Sequence, residues 1–491
     1  MKRYLYISCI TALSFVVNSC AVNPVTGKKE VVLMSESQEI AMGQGADPEI
    51  IAQYGLYDDK ALQSFITEKG NSMAAISHRP NLKYGFRVVD SDILNAFAVP
   101  GGYVYFTRGI MAYFNNEAQF AGVLGHEIGH ITARHGVAQQ RNAMLGQVGL
   151  IAGMVIAPKL GQFAEQASQG LGLLMLKFGR DDERQADRLG VEYSSKIGYD
   201  AQQMALFFNT LERDQKRSGA GEIPDFLSSH PSPGDRYVTV GKLATEWKQT
   251  LNLTHAQIER NTYLKRIDGI VYGEDPKQGF VENSVFYHPV LKFQFPVPQS
   301  WALQNSPQSV QMAPKGGKAL MMMTIAPGKT LEESASGVLK QFNLQALETR
   351  QTTVNGLPAI TMVADQIPQQ QQQQQQQQAQ QQATVRTLSY IIQYGNLNYL
   401  LIGVSGISDF NNYSTIFSNT MQNFRELKDA AKLNKQPERV RIKTINQSTT
   451  LEQALRQYKM TDKRLEELAI LNGMELKDRI TPGTMIKVIE K

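Results

Sequence analysis

His126 and His130 stand four residues apart with Glu127 beside the first, in the run Leu124-Gly125-His126-Glu127-Ile128-Gly129-His130. On a helix, residues four apart lie one above the other. Both imidazoles then reach one metal ion, while Glu127, about 100° round, meets the water that ion carries. The apolar stretch from Ala118 to Leu124 leads into the motif at helical spacing and supplies the helix. This is the pattern of metal-assisted hydrolysis, and the expected cofactor is zinc, one ion per chain. The competing explanation, a helix with two histidines in these places by chance, leaves the acid between them without a purpose.

A catalytic zinc keeps three protein ligands and one open position, so a third ligand must come from outside this helix. His135 follows His130 by five residues, about 140° round a continuing helix. Ala133 and Gly136 also stand where a longer three-histidine motif needs glycine and histidine. His135 therefore reads as a surface or second-layer residue. Glu183 and Asp187 lie one turn apart in Asp181-Asp182-Glu183-Arg184-Gln185-Ala186-Asp187-Arg188 and share a helix face. Glu183 can complete the metal set with Asp187 orienting a histidine's free N–H. Alternatively, the two form a solvated acidic face paired with Arg184 and Arg188, and spacing leaves both readings open.

The surrounding chain must position these groups. Its 491 residues are 42% hydrophobic and 19% charged, which is globular material with room for about three domains. The formal charge of +5 includes Lys2 and Arg3 and is too small to argue for nucleic acid. Those two cations, the apolar span Leu5 to Val17 and the sequence Val17-Asn18-Ser19-Cys20 resemble a bacterial lipoprotein signal peptide over residues 1–19, with Cys20 lipidated and 20–34 a tether. The apolar span is shorter than the ~20 residues a crossing helix needs, so the mature chain is expected to be anchored to a membrane without spanning it. Cys9 leaves with the leader, and no disulfide remains possible within one mature chain. Ala21 after the cysteine, by resemblance to sorted lipoproteins, implies the outer membrane facing the periplasm.

Ser35 with Gln38 opens a helix as a capping pair. Tyr84 to Asp90 alternates like a strand, and Pro100-Gly101-Gly102 joins two short strands between Asn95 and Arg108. Residues 137–178 are rich in Gly, Ala, Met and Leu. The run Met144 to Ala157 within them reads as a buried helical hairpin, with a lid over the cleft or a surface dipping into lipid as alternatives. From about residue 265 the texture turns β-rich, giving an α+β accessory domain over 265–430 with a glutamine-rich loop at 366–383. Residues 438–491 run β-α-α-β with turns at Asn472-Gly473 and Pro482-Gly483, an order that resembles a LysM module. That likeness implies binding of N-acetylglucosamine-containing glycans such as peptidoglycan. Asn446-Gln447-Ser448-Thr449 replaces the usual Gly-Asp of its first loop, and a structural cap is the alternative. The expected fold class is multidomain α+β: a mainly helical zincin-type domain, a β-rich middle domain and a small βααβ module.

Four motifs in order, Asn95-Ala96-Phe97-Ala98-Val99-Pro100-Gly101-Gly102, Leu124 to His130, Glu183 to Asp187, and His230-Pro231-Ser232-Pro233-Gly234-Asp235-Arg236, resemble the HtpX/BepA/LoiP family of gluzincin metallopeptidases, kin of the CAAX prenyl proteases. The resemblance covers about residues 25–245 and implies a peptidase domain over 35–262. It implies that His126, His130 and Glu183 hold zinc, Glu127 is the base and Asp187 orients a ligand. It also implies that His230 and Arg236 either stabilise the oxyanion or, with His230 on the metal, close the site at rest. The strands around Asn95, Ala96 and Phe97 are expected to lay an extended substrate along a sheet edge. The expected function is a membrane-anchored periplasmic zinc endopeptidase acting on unfolded or misassembled envelope proteins in quality control. The alternative is a non-catalytic or latched envelope adaptor or chaperone that binds peptidoglycan or protein partners.

Overall fold

The computed structural model describes residues 20–31, 34–143, 178–218, 226, 230, 236–367 and 385–491. The leader 1–19, the apolar run 144–157, the prolines at 231 and 233 and the glutamine tract lie outside the described residues. Two compact units emerge, one from the described residues up to 274 together with 437–491, the other from 275–436.

In the first unit a hairpin of β1 (Cys20–Val22) and β2 (Lys29–Val31) precedes α1 (Glu36–Tyr54). Ser35 caps α1 as expected, its hydroxyl accepting from the Gln38 N–H while the Gln38 side chain accepts from the Ser35 N–H. After α2 (Lys60–Ala74) come β3 (Gly85–Val89), β4 (Ala96–Val99) and β5 (Tyr103–Thr107). β5 is central, parallel to β3 and antiparallel to β4. Gly101 and Gly102, at φ +90° and +103°, make the β4–β5 turn in a region that side chains avoid.

A short α3 (Arg108–Tyr113) leads into α4 (Glu117–Thr132), whose cap is Asn116 accepting from the Gln119 N–H at 2.8 Å. Every residue of α4 is buried, which places this helix at the centre of the unit. Around it lie α5 (His135–Ala143), α6 (Arg180–Lys196), α7 (Gln202–Ser218), α8 (Arg236–Thr250) and α9 (Arg260–Arg266).

The approach of α6 to α4 depends on two glycines. A methyl group at Gly125 would sit 2.9 Å from the Gly190 carbonyl oxygen, and one at Gly190 would sit 3.0 Å from the His126 nitrogen. Backbone meets backbone here, and nothing flexible can give way. Gly125→Val is therefore expected to cost about 1–3 kcal/mol of stability. It should also weaken zinc binding about tenfold or more, because α6 carries Glu183 and Asp187. Thermal unfolding and a zinc titration would check both effects.

β6 (Val271–Tyr272) ends this part of the chain, and the second unit follows. Its strands are β7 (Phe280–Glu282), β8 (Val285–His288), β9 (Phe293–Pro296), β10 (Trp301–Asn305), β11 (Ser309–Pro314) and β12 (Ala319–Ile325). After α10 (Leu331–Gln341) come β13 (Leu344–Val354), β14 (Leu357–Gln366), β15 (Val385–Tyr394) and β16 (Leu397–Gly406). It closes with α11 (Phe410–Gln422), β17 (Arg425–Glu426) and α12 (Ala430–Leu433). The seven-stranded antiparallel sheet has the order β10-β11-β12-β16-β15-β14-β13. Strand alternation splits β12 between two cores: Leu320 and Met322 pack with Val338 of α10, Met321 and Met323 with Phe417 of α11. β14 and β15 are paired neighbours on either side of the glutamine tract.

The last stretch returns to the first unit as β18 (Glu438–Thr444), β19 (Thr449–Thr450), α13 (Leu451–Gln457), α14 (Leu465–Leu471), β20 (Arg479–Ile480) and β21 (Met485–Glu490). β18 pairs with β21 on one side and β6 on the other. Its core is not separate, because Val440, Leu455, Leu468 and Val488 belong to the same apolar cluster as Phe120, Leu124 and Phe207. Lys487 of β21 is buried there, its Nζ donating to the carbonyls of Ala112 and Phe114 at 2.8 Å and of Leu471 at 2.9 Å.

Candidate metal centre

His126 and His130 project from one face of α4, Glu183 from the first turn of α6, and His230 from just before α8, and their ligand atoms all lie within 4.8 Å of one another. The His126 Nε2 stands 3.0 Å from the His130 Nε2 and 3.3 Å from the His230 Nδ1, which is 2.9 Å from the Glu183 Oε1. His130 Nε2 is 3.5 Å from the same Oε1. Tetrahedral zinc with bonds of about 2.0–2.1 Å separates its ligands by about 3.3 Å, and the donor set fits that spacing. Glu183 thus turns inward to the histidines, and the solvated-face reading does not hold for it.

Several buried polar atoms here have no hydrogen-bond partner among the described residues: both Glu127 oxygens, Glu183 Oε2, His230 Nε2 and Arg236 Nη1. Orphaned polar atoms are costly, and five gathered in one place suit a bound ion and its water. The residues present fit zinc.

Asp187 takes its place one turn beyond Glu183. Its Oδ1 accepts from the His126 Nδ1 at 2.9 Å, and Arg236 grips the carboxylate with Nε at 2.8 Å and Nη2 at 2.6 Å. The Arg236 guanidinium also lies 3.8 Å from the centre of the Phe208 ring and 3.4 Å from Glu183 Oε2. Burial works against the Asp187 carboxylate, but Arg236 and His126 overcome it and hold its pKa below the ordinary value. Burial likewise opposes the Glu183 anion, and His230, His126 and Arg236 lower its pKa in spite of that. Burial and neighbouring His126 hold His130 far below the usual imidazole range, so it stays neutral with a lone pair for a metal. For His230 burial is outweighed by Glu183 and Glu127, and its pKa rises.

Glu127 differs from the other acids. Burial pushes its carboxyl above the ordinary range against the pull of His230 and His126, and its Oε1 lies 3.7 Å from His230 Nε2. It sits beside the donor set without belonging to it.

Of the residues expected to meet substrate, Asn95 precedes β4, Ala96 is buried, and Phe97 stacks on Tyr105 at 4.9 Å between ring centres. Among the described residues the outer edge of β4 has no strand partner. Ala98, Val99 and Pro100 share a cavity with His130 and Phe178. Two aromatic rings escaped the sequence reading: Phe178 stacks on His130 at 3.9 Å, and Phe226 on His230 at 4.6 Å. Neither belongs to a motif. Their only signal is an aromatic residue close before Glu183 or His230.

Residues 60–243 match the family described as Peptidase family M48. This stretch is an M48 peptidase domain. It contains the whole donor set, Glu127, Asp187 and Arg236. The chain is 31% identical over 267 residues to the beta-barrel assembly-enhancing protease of Yersinia pestis, a match covering 51% of this chain and 52% of that protein. It is 32% identical over 235 residues to the protein of that name from Escherichia coli O157:H7, covering 46% and 47%. With the mitochondrial metalloendopeptidase OMA1 of Arabidopsis thaliana it shares 30% over 177 residues, covering 36% and 34%. The chain thus spans about half the length of the first two relatives, and all three matches are to proteases. Among the described residues no helix is long and apolar enough to cross a membrane.

Proposed function

We propose that this protein is a zinc metalloendopeptidase of the bacterial envelope, held to the outer membrane by lipid on Cys20, that cuts exposed segments of unfolded or misassembled envelope proteins. The observation that carries this is the buried set of His126, His130, Glu183 and His230 beside a Glu127 whose two oxygens have no partner among the described residues. A structural metal site has no need of such an acid.

His126, His130 and Glu183 would hold the zinc, which would supply a Lewis acid and lower the pKa of water to about 7. Glu127, both of whose oxygens have no hydrogen-bond partner among the described residues, takes the proton of the attacking water and delivers it to the leaving amine. Asp187, charge-balanced by Arg236, accepts the Nδ1–H of His126 and so keeps Nε2 free for the metal. His230 Nε2 and Arg236 Nη1 are the donors available to negative charge growing on the scissile carbonyl. The open edge of β4 offers main-chain hydrogen bonds to an extended peptide, which favours unfolded segments of varied sequence.

A second reading has its own observation. His230 Nδ1 lies among the other donors, so this ring can take the position that water needs and hold the protease shut. One experiment addresses both readings: zinc content and casein hydrolysis of the purified protein, with and without phenanthroline, beside His230→Ala. About one zinc per chain is expected, with hydrolysis lost on chelation and restored by zinc. Faster hydrolysis by His230→Ala would support the latch, and slower hydrolysis would support oxyanion stabilisation. Folded protein that takes up no zinc would sink both.

A further inference from the structure

Helix α4 ends at Thr132, and the chain reverses at Arg134, whose φ of +59° lies in the left-handed region that residues other than glycine seldom adopt. Glu39, a buried carboxylate of α1, holds this turn. It accepts from Arg134 Nε at 2.9 Å and from Arg79 Nη1 at 2.7 Å, while Arg134 Nη2 donates to the Met34 carbonyl at 3.0 Å. The reversal points His135, the first residue of α5, back at the metal helix. Its ring is buried, with Nδ1 3.0 Å from the His130 Nδ1 and Nε2 3.0 Å from the Gln185 Oε1.

The protons on this chain can be placed. His130 turns Nε2 toward the other donors, so the lone pair is needed there and the hydrogen sits on Nδ1. The acceptor for that hydrogen is His135 Nδ1, which can accept only if His135 carries its own hydrogen on Nε2. Gln185 Oε1 is an acceptor at that end, and Asp182 Oδ1 stands 3.7 Å from the same nitrogen. All three residues agree on one direction of donation, from His130 through His135 to Gln185.

We propose that His135, backed by Gln185, is the positioning residue for His130, fixing the tautomer and ring orientation of that ligand as Asp187 does for His126. The two metal histidines then differ in what supports them, a carboxylate behind one and a neutral imidazole behind the other. This rests on the metal-centre reading, and its test keeps the two apart.

The measurement is zinc affinity of the metal-free full chain, by competition with a chelating dye, for wild type, His135→Leu, His135→Asn and Gln185→Leu. Melting temperatures of the metal-free proteins serve as the control for packing. His135→Leu fills the space without an acceptor and is expected to bind zinc about 10–100-fold more weakly. His135→Asn, whose Oδ1 can stand in for Nδ1, should recover most of that loss, and Gln185→Leu should show a smaller loss in the same direction. Wild-type affinity in His135→Leu would overturn the inference and leave the centre intact, and so would equal losses in the Leu and Asn variants. If the Leu variant does not fold, unchanged affinity in Gln185→Leu overturns it. A wild type that binds no zinc would overturn the metal reading itself.

Discussion

Glu127→Gln is expected to keep its zinc and to lose peptide hydrolysis by about a hundred- to ten-thousand-fold, the range general acid–base catalysis contributes. The side chain keeps its size, and neither carboxylate oxygen has a hydrogen-bond partner among the described residues, so the change breaks no network. Glu127 is also the acid whose charge burial disfavours, while neighbours stabilise the anions of Glu183 and Asp187. The variant should therefore melt no lower than wild type. Hydrolysis within tenfold of wild type would rule out Glu127 as the base. Loss of zinc would instead make it part of the metal's support.

The second large effect is expected far from the metal in sequence. Lys487→Met should destabilise the first unit by about 3 kcal/mol or more, since removing one partner from buried polar groups costs about 1–3 kcal/mol for each group left unsatisfied. The groups concerned are the carbonyls of Ala112 and Phe114, at the end of α3, and of Leu471. Burial draws the Lys487 amine toward its neutral form, while these carbonyls and the helix end favour the ammonium. For the same reason, removal of residues 437–491 should leave an aggregating chain, because it strips the shared apolar cluster from around α4. Urea unfolding of the point variant and sedimentation of the shortened chain are the checks. A shortened chain that stays monodisperse and binds zinc would show the segment to be dispensable.

The legible parts of the site were those that depend on one helix. The His126–His130 spacing and the Ala118 to Leu124 lead-in carry their own geometry, and helical periodicity was enough to place them. Glu183 was undecidable by spacing, because what turns it inward is the glycine contact between α4 and α6, a tertiary fact. Of the two places expected for His135, the surface and a layer behind the ligands, it takes the second, buried against His130; the angle of about 140° assumed that α4 continues, and Arg134 ends it with a left-handed residue. Phe178 and Phe226 carry no signal beyond an aromatic residue close before Glu183 or His230, since ring stacking requires no spacing along the chain. The β-α-α-β order of the last stretch was visible from its turns and alternation. Its shared core was not, because a lysine in a strand ordinarily marks the solvent face.

That shared core sets a clock on the folding of the first unit. By the time Arg236 leaves the ribosome every expected metal ligand has been made, yet the strand that carries Lys487 is still to come. At about 5–20 residues per second, the wait is on the order of ten seconds or more. During that interval α3 ends in open carbonyls, and α4 lacks part of its wall. The ligands alone therefore do not finish the first unit: part of the wall of α4 and the partner of the α3 carbonyls come from residues translated long after them.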